Sequence, residues 1–326
     1  MFDAKIALIT GISGQDGSLL AKFLLDKGYR VVGTARDCQV GSFYNLKLLG
    51  IYDDIELVSM VPTDFRSVLQ TLIKVKPSEL YNLAGQSSVG LSFQQPVETL
   101  ESIGIGTLNL LEAIRFVDLP IRFYNAGSSE CFGDTKGLPA DEKTPFHPRS
   151  PYGVAKATAF WEVANYREAY GLYACSGILF NHESSLRPER FVTRKIIACA
   201  CRIASGKNER LHLGNISICR DWGWAPEYVE AMWLMLQKEC ADDFVIATGE
   251  TNSLETFISE TFAAVGLNWR DYVDIDSSLI RPSEIMISVG DPQKACNILS
   301  WKARVKMKGV VTKMIDTEKM MLVEGK

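Results

Sequence analysis

Lys5–Lys27, KIALITGISGQDGSLLAKFLLDK, is the stretch from which the fold is read. Lys5–Thr10 is a short aliphatic run of the kind that forms a buried strand. Ser18–Lys27 carries Leu20, Phe23 and Leu24 on one side of a helix. Between them stand Gly11, Gly14 and Gly17, with Gln15 and Asp16 inside the spacing. Glycine suits these positions because they need a tight turn, close approach of backbone to a pyrophosphate, and close packing of helix on strand. The helix N-terminus then presents unpaired N–H groups and a favourable dipole to phosphate. Three glycines alone are common in structural turns, but in a strand–turn–helix context they predict a dinucleotide site.

The same alternation continues on the C-terminal side. Tyr29–Thr34, Ile55–Met60, Glu79–Ala84 and Ile121–Ala126 read as strands, and Phe65–Val75 and Glu98–Phe116 as helices. Gly153–Tyr170 reads as a further helix and Leu172–Phe180 as a strand. This pattern predicts an α/β fold, a Rossmann-type doubly wound parallel sheet. Beyond it the alternation becomes irregular, and the polar stretches Asn181–Arg190 and Arg281–Asp291 read as loops. The expected organisation is a dinucleotide-binding domain over residues 1–180 and a smaller, mainly substrate-binding C-terminal domain over 181–326. Parts of 215–250 are expected to return to the first, although the strand-like Asp243–Gly249 (DFVIATG) could join either.

Composition narrows the function classes. With 326 residues and 47% hydrophobic content the chain can bury a sizeable core, and its length suggests about two domains. A net charge of -4, spread along the chain, lacks the basic footprint of a nucleic-acid binder. The first ten residues do not read as a signal peptide, and no run approaches the ~18 apolar residues of a membrane span. The eight cysteines form no C-x-x-C pair and sit mostly in apolar runs such as YACSGIL and IIACACRIA. Reduced thiols and a cytoplasmic location are therefore expected. His147 and His212 lack partners at ligand spacing, so no metal is expected.

Three further patterns carry chemistry. The second strand ends in GTARD, where an acidic residue suits the ribose of NAD and an arginine suits the 2′-phosphate of NADP. Arg36 favours NADP, while its neighbour Asp37 does not. Tyr152 and Lys156 form a Y-x-x-x-K pair on one helical face. An ammonium beside the phenol is expected to lower a pKa that is otherwise about 10, making a base that can take a hydroxyl proton. The strand Ile121–Ala126 delivers Gly127, Ser128, Ser129 and Glu130 to the end of the sheet where ligands bind. Ser128 can bond a sugar hydroxyl, and Glu130 can act as general acid or base.

With these residues in place the chain resembles the extended short-chain dehydrogenase/reductase superfamily and, within it, the GDP-mannose 4,6-dehydratase family. The resemblance runs over nearly the whole length: TGISGQDG, NLAGQSSVGLSFQQP, AGSSECFG, SPYGVAK, NYREAYG, GILFNHES, FVTRKI, LGN, RDWG, DFVIATG and RPSEI. It implies a cofactor site for NADP that takes in Gly11, Gly14, Gln15, Asp16, Gly17, Arg36, Asp64, Phe65, Leu83, Ala84, Gln86 and Ser87. Tyr152, Lys156, His182 and Arg187 join that site by the same resemblance. It implies catalytic roles for Ser128, Glu130, Tyr152 and Lys156. It also places Ser87, Ser128, Glu130, Asn181, Lys195, Arg220, Arg281 and Glu284 near a GDP-mannose substrate, and implies a homodimer or homotetramer. Two departures stand out. Arg36–Asp37 replaces the family's double arginine, leaving NADP specificity and a loop-mediated tetramer contact open, and SSLRPER differs from the usual loop while keeping Arg187. Other readings of the same patterns are a nucleotide-sugar epimerase or reductase, or a non-catalytic NADP-binding sensor.

Overall fold

The computed structural model describes residues 4–324. Seven parallel strands form the main sheet: β1 (Ile6–Thr10), β2 (Arg30–Ala35), β3 (Glu56–Ser59), β4 (Glu79–Asn82), β5 (Arg122–Ala126), β6 (Ala174–Leu179) and, late in the chain, Phe244–Ile246. Between β6 and that last strand come β7 (Asn181–Glu183), β8 (Leu211–Leu213) and β9 (Cys219–Trp224). Phe244–Ile246 is then β10, and β11 (Thr251–Ser253) and β12 (Val273–Ile275) follow. The main sheet runs in the order β10-β6-β5-β4-β1-β2-β3. Strand order reverses between β1 and β4, the crevice where an open α/β sheet binds its ligand.

Parallel strands covered on both faces are apolar on both faces, and alternate residues here enter two different cores. Ile9, Tyr81 and Tyr124 pack with Leu20 and Leu24 of helix Gln15–Asp26 and with Tyr228 and Met232 of helix Ala225–Leu236. Leu8, Leu80 and Phe123, one residue away, pack on the opposite face with Val68, Leu110 and Val163. A separate core gathers Ile196, Trp222, Phe257 and Val310 around helices Val192–Ala204, Leu254–Ala264 and Met307–Glu324. Among the described residues no helix is long and apolar enough to cross a membrane.

The expected elements are all present, with shifted ends and one error. The first helix begins at Gln15, three residues before Ser18, because the chain turns directly into it from Gly14. The helix expected over Glu98–Phe116 begins at Pro96, where a missing N–H costs nothing, and contains a π-turn over Glu101–Ile105. Ser150 caps the next helix by accepting from the Gly153 N–H at 3.0 Å, so that helix starts at Pro151. The loop expected over Asn181–Arg190 is wrong in its first three residues. Asn181–Glu183 is strand β7, parallel to Trp222–Trp224 of β9. Its polar letters hide a strand because the pairing partner lies some forty residues on and the buried polar groups are satisfied by other elements. Glu183, for example, accepts from Thr193 Oγ1 at 2.7 Å. Asp243–Gly249, left open by the sequence, supplies β10, which pairs with β6 in the main sheet.

Gly17 shows how tightly the first turn is drawn. A Cβ there would lie 2.4 Å from the Gly11 carbonyl oxygen and 2.9 Å from the Ile12 Cα, both backbone atoms. Gly17→Ala is therefore expected to destabilise the fold by about 1–3 kcal/mol. Thermal denaturation of the ligand-free protein measures this.

Candidate active site

The carboxyl ends of the strands are tied together beneath the crevice by a row of buried polar side chains. Thr10 Oγ1 donates to Asn82 Oδ1 (2.9 Å) and accepts from the Leu83 and Ala84 N–H groups (3.0 and 3.1 Å). Asn82 donates to Asn125 Oδ1 at 3.1 Å, and Asn125 donates to Ser176 Oγ at 3.4 Å. This row ends β4 at Asn82 and turns Leu83 and Ala84 out of the expected strand into the cavity wall. Thr10, Asn82 and Asn125 escaped the reading from sequence. Their signal is a polar residue at or near the carboxyl end of each strand, after a run of apolar ones.

Above this row lies a cavity of about 940 Å³. Its wall contains Gly11, Gly14, Gln15, Asp16 and Gly17, then Arg36, Leu83, Ala84, Gln86 and Ser87. It continues through Ser128, Glu130, Tyr152, Lys156, Asn181, His182 and Arg187. Residues from separate stretches of the chain thus meet in one place. The fit to a dinucleotide is visible at Gly14. It precedes helix Gln15–Asp26 with no side-chain cap, so the first-turn N–H groups are left to a ligand. Arg36 stands at the end of β2, on the cavity wall.

The turn after β5 and the helix after it are brought together by two glycines. A Cβ on Gly127 would meet the Gly177 carbonyl oxygen at 2.9 Å, and one on Gly153 would meet that of Glu130 at 2.8 Å. The second contact seats Tyr152 beside Glu130. Ser128 Oγ accepts from the Glu130 N–H at 3.3 Å and faces the Tyr152 phenol. Lys156 Nζ donates to the Ala126 carbonyl at 2.7 Å and lies 5.8 Å from the centre of the Tyr152 ring.

Electrostatics here depart from the simple expectation. Tyr152 is not a depressed phenol: burial raises its pKa, Cys131 and Glu130 add to the rise, and Ser128 and Arg187 pull it back. The Lys156 ammonium is spent on the Ala126 carbonyl, and burial brings its own pKa down to about 8. Burial also raises the Glu130 carboxyl, Arg220 and Arg281 draw it back, and Glu284 pushes it up. A carboxyl raised toward neutrality can both take and return a proton.

Several expected residues sit elsewhere. Asp64 caps helix Phe65–Val75, accepting from the Arg66 N–H at 2.9 Å, and Phe65 is exposed. Neither lines the cavity, whose wall at that point is Met60–Thr63. Lys195 Nζ donates to the His212 carbonyl at 2.7 Å, away from the cavity. Arg220, Arg281 and Glu284 form a neighbouring charged group that Glu130 feels. Within it Arg220 is buried and donates to the Ile285 carbonyl at 2.8 Å, and Arg281 lies 4.0 Å from Glu284. Sequence reasoning missed Glu101, Ser102 and Arg190, which also line the cavity. The first two belong to the π-turn, a kind of irregularity that recurs at functional sites.

The side chains of Gln15 and Asp16 turn toward β7, leaving only their backbone to a phosphate. Ser184 Oγ donates to Gln15 Oε1 at 2.9 Å, and His182 Nε2 lies 3.0 Å from Asp16 Oδ2. Burial alone would raise the Asp16 carboxyl. The His182 charge and the hydrogen bonds from His182 and Gln15 outweigh it and hold the pKa down to about 2. A depressed carboxylate stabilises the fold above its unfolded value of 3.8 and loses that contribution as pH falls through about 2. The contribution is about 2 kcal/mol. Acid unfolding should therefore lose that much less stability across this window in Asp16→Asn than in the wild type.

The comparisons with known proteins agree with this geometry. A family model described as GDP-mannose 4,6 dehydratase matches residues 8–314. GDP-mannose 4,6 dehydratase 1 of Arabidopsis thaliana is 48% identical over 326 residues, covering 96% of this chain and 90% of the relative. GDP-mannose 4,6 dehydratase of Dictyostelium discoideum is 43% identical over 341 residues, covering 96% and 95%. Among solved structures, DesIV, a dTDP-glucose 4,6-dehydratase from Streptomyces venezuelae with NAD and TYD bound, superposes with a TM-score of 0.87. It covers 97% of each chain at 18% identity, which is agreement in fold. The fold is a Rossmann-type one, and by the extent of the family match and the identity to these relatives this chain belongs to the GDP-mannose 4,6-dehydratase family.

Proposed function

We propose that this protein is a lyase converting GDP-mannose to GDP-4-keto-6-deoxymannose, with NADP as its resident cofactor. The observation that carries the reading is Glu130, a carboxyl with raised pKa standing beside Ser128 and Tyr152 in the wall of the dinucleotide cavity. A fold that only reduced a ketone would need the Tyr–Lys pair and no such carboxyl.

Gly11, Gly14 and Gly17 with the first-turn N–H groups would hold the pyrophosphate, Arg36 the 2′-phosphate, and Lys156 with Tyr152 the nicotinamide end. When bound, the dinucleotide supplies reversible hydride transfer at the sugar. With the positive charge of the bound oxidised dinucleotide offsetting burial, Tyr152 would ionise and take the proton of the hydroxyl at carbon 4, and Ser128 bonds the same oxygen, stabilising the developing charge. The resulting ketone acidifies the proton at carbon 5, and Glu130 removes it. Glu130 then returns this proton to the hydroxyl leaving carbon 6, so water departs and the carboxylate is restored. The hydride taken from carbon 4 would go back from the dinucleotide to carbon 6, and the proton taken by Tyr152 is the one that carbon 5 regains. Asn181, Lys195, Arg220, Arg281 and Glu284 are assigned to the GDP-sugar. Guanidinium groups suit its diphosphate because they donate paired hydrogen bonds.

The same reading divides the chain into a dinucleotide-binding part, 1–180 with parts of 215–250, and a mainly sugar-binding part over 181–326. Two features support it: β10 lies in the main sheet, and helix Ala225–Leu236 packs beneath that sheet. It includes a cytoplasmic homodimer or homotetramer, for which the exposed apolar side chains Val97, Leu100, Ile105 and Trp161 offer a face. Incubation with GDP-mannose and NADP+, followed by NMR of the sugar, tests the activity. A 4-keto-6-deoxy product without net NADPH is expected. Unchanged sugar with demonstrably bound NADP+ would sink the assignment.

A further inference from the structure

His182 is buried, and both of its ring nitrogens are taken by the protein itself. Nδ1 lies 2.7 Å from the Phe180 carbonyl oxygen, and Nε2 lies 3.0 Å from Asp16 Oδ2. A carbonyl and a carboxylate can only accept, so satisfying both requires a proton on each nitrogen. The Tyr228 ring stacks on the imidazole with centroids 4.6 Å apart and planes 19° from parallel, a face that favours a cation.

This ring sits between two parts of the cavity. Asp16 belongs to the first turn of helix Gln15–Asp26, and His182 is the middle residue of β7, between Asn181 and Glu183. A second set of bonds runs parallel to the ion pair. Gln15 Nε2 donates to the His182 carbonyl at 3.2 Å, and Arg187 Nη1 donates to the same oxygen at 3.0 Å. We propose that His182 is a positioning residue, held as the imidazolium, that clamps the first turn of the dinucleotide helix to β7. The clamp sets the stance of Asn181 and Arg187 against the bound dinucleotide and sugar. The role rests on the dinucleotide reading of the cavity, and it gives His182 no direct contact with cofactor through its ring.

The charged and titratable groups around the ring are few. Asp16 faces it from the first helix and Arg187 from the loop after β7. Tyr228 faces it from helix Ala225–Leu236, with Glu183, Asp221 and Glu227 near the phenol. Burial lowers the His182 pKa and Arg187 opposes its charge, yet Asp16 and the Phe180 carbonyl outweigh them and raise it above 6.5. The clamp is thus complete below that value and is released as pH rises through the raised pKa.

Nitrogen-15 NMR of the ligand-free protein reads the ring state directly, and calorimetry gives the affinity for NADP+ at each pH. At pH 6.5 the wild-type ring should be mainly protonated on both nitrogens, and the Asp16→Asn ring, left with the effect of burial, mainly neutral. Loss of a charged hydrogen bond should weaken NADP+ binding by about tenfold at that pH. Wild-type affinity should also fall as pH rises past the His182 pKa, a component absent from Asp16→Asn. Lys156 feels the Asp16 charge, so its titration near 8 moves in Asp16→Asn, and the His182 component is the part of the affinity profile that follows the ring signals. A mainly singly protonated ring in the wild type at pH 6.5, or matching affinity profiles in the two proteins, would overturn the role. If Asp16→Asn does not fold, the wild-type ring state and profile still decide. A wild type that binds neither NADP+ nor NAD+ takes down the proposed function as well, a pattern distinct from equal binding by both proteins.

Discussion

Glu130→Gln should stop product formation, lowering turnover of GDP-mannose by about 10²–10⁴-fold, the usual contribution of a positioned general acid or base. Glutamine keeps the shape and the polar contacts of the turn, whose Glu130 N–H donates to Ser128 Oγ. It cannot take the carbon 5 proton or return one to the leaving hydroxyl. Oxidation at carbon 4 depends on Tyr152 and Ser128 and should survive. In a single turnover, reduced dinucleotide is then expected to build up and stay, whereas the wild type shows no net reduction. Absorbance of the reduced cofactor and NMR of the sugar together make the measurement. A variant that still forms product at a near wild-type rate would return the chain to the epimerases and reductases. The burial-raised carboxyl also implies a pH effect. The wild-type step that needs ionised Glu130 should weaken with acid sooner than an ordinary carboxylate would allow.

Asp243→Ala should destabilise the fold by about 3–5 kcal/mol, more than Gly17→Ala. Asp243 is buried at the start of β10 and holds three donors. Arg167 binds it through both arms of the guanidinium, at 3.0 and 2.6 Å, and the Ser176 N–H donates to Oδ1 at 2.6 Å. Arg167 comes from helix Pro151–Tyr170 and Ser176 from β6, so one carboxylate joins three elements of the fold. Removing it strands a mostly buried guanidinium and an amide, and a charge left unpaired costs more than the pair contributes. Urea or thermal denaturation would measure the loss. Arg167→Ala with Asp243→Ala should recover part of it, since no buried charge is then uncompensated. A fall of less than about 1 kcal/mol in the single variant, the scale of an exposed ion pair, would show that the carboxylate is not a structural tie.

The parts of the site that could be read from the letters were those with a local signal. Gly11–Gly17, Tyr152–Lys156 and Ser128–Glu130 each follow a strand or open a helix, and all three stretches contribute to one cavity. The residues that slipped away depend on partners distant in the chain. β7 was hidden because its pairing strand β9 is remote. The polar row Thr10–Asn82–Asn125–Ser176 exists only because four strands lie side by side. That Asp64 caps a helix was likewise decided by the backbone around it. Tyr152 is the sharpest lesson. Four-residue spacing put Lys156 on its face, but the burial that the fold imposes raised the phenol, and the ammonium found the Ala126 carbonyl.

Sequence by itself determined the strand–glycine–helix beginning, the alternation that yields a doubly wound sheet, and the identity of the groups able to do chemistry. These follow from hydrophobic period, glycine's missing Cβ and side-chain functional groups, all of which are properties of short segments. Tertiary structure decided which groups meet, how far each is removed from water, and which polar atoms are already engaged. That is why His182 faces Asp16 across 166 residues and why Glu130 is a raised carboxyl. Desolvation and long-range pairing arise only once distant segments are packed together.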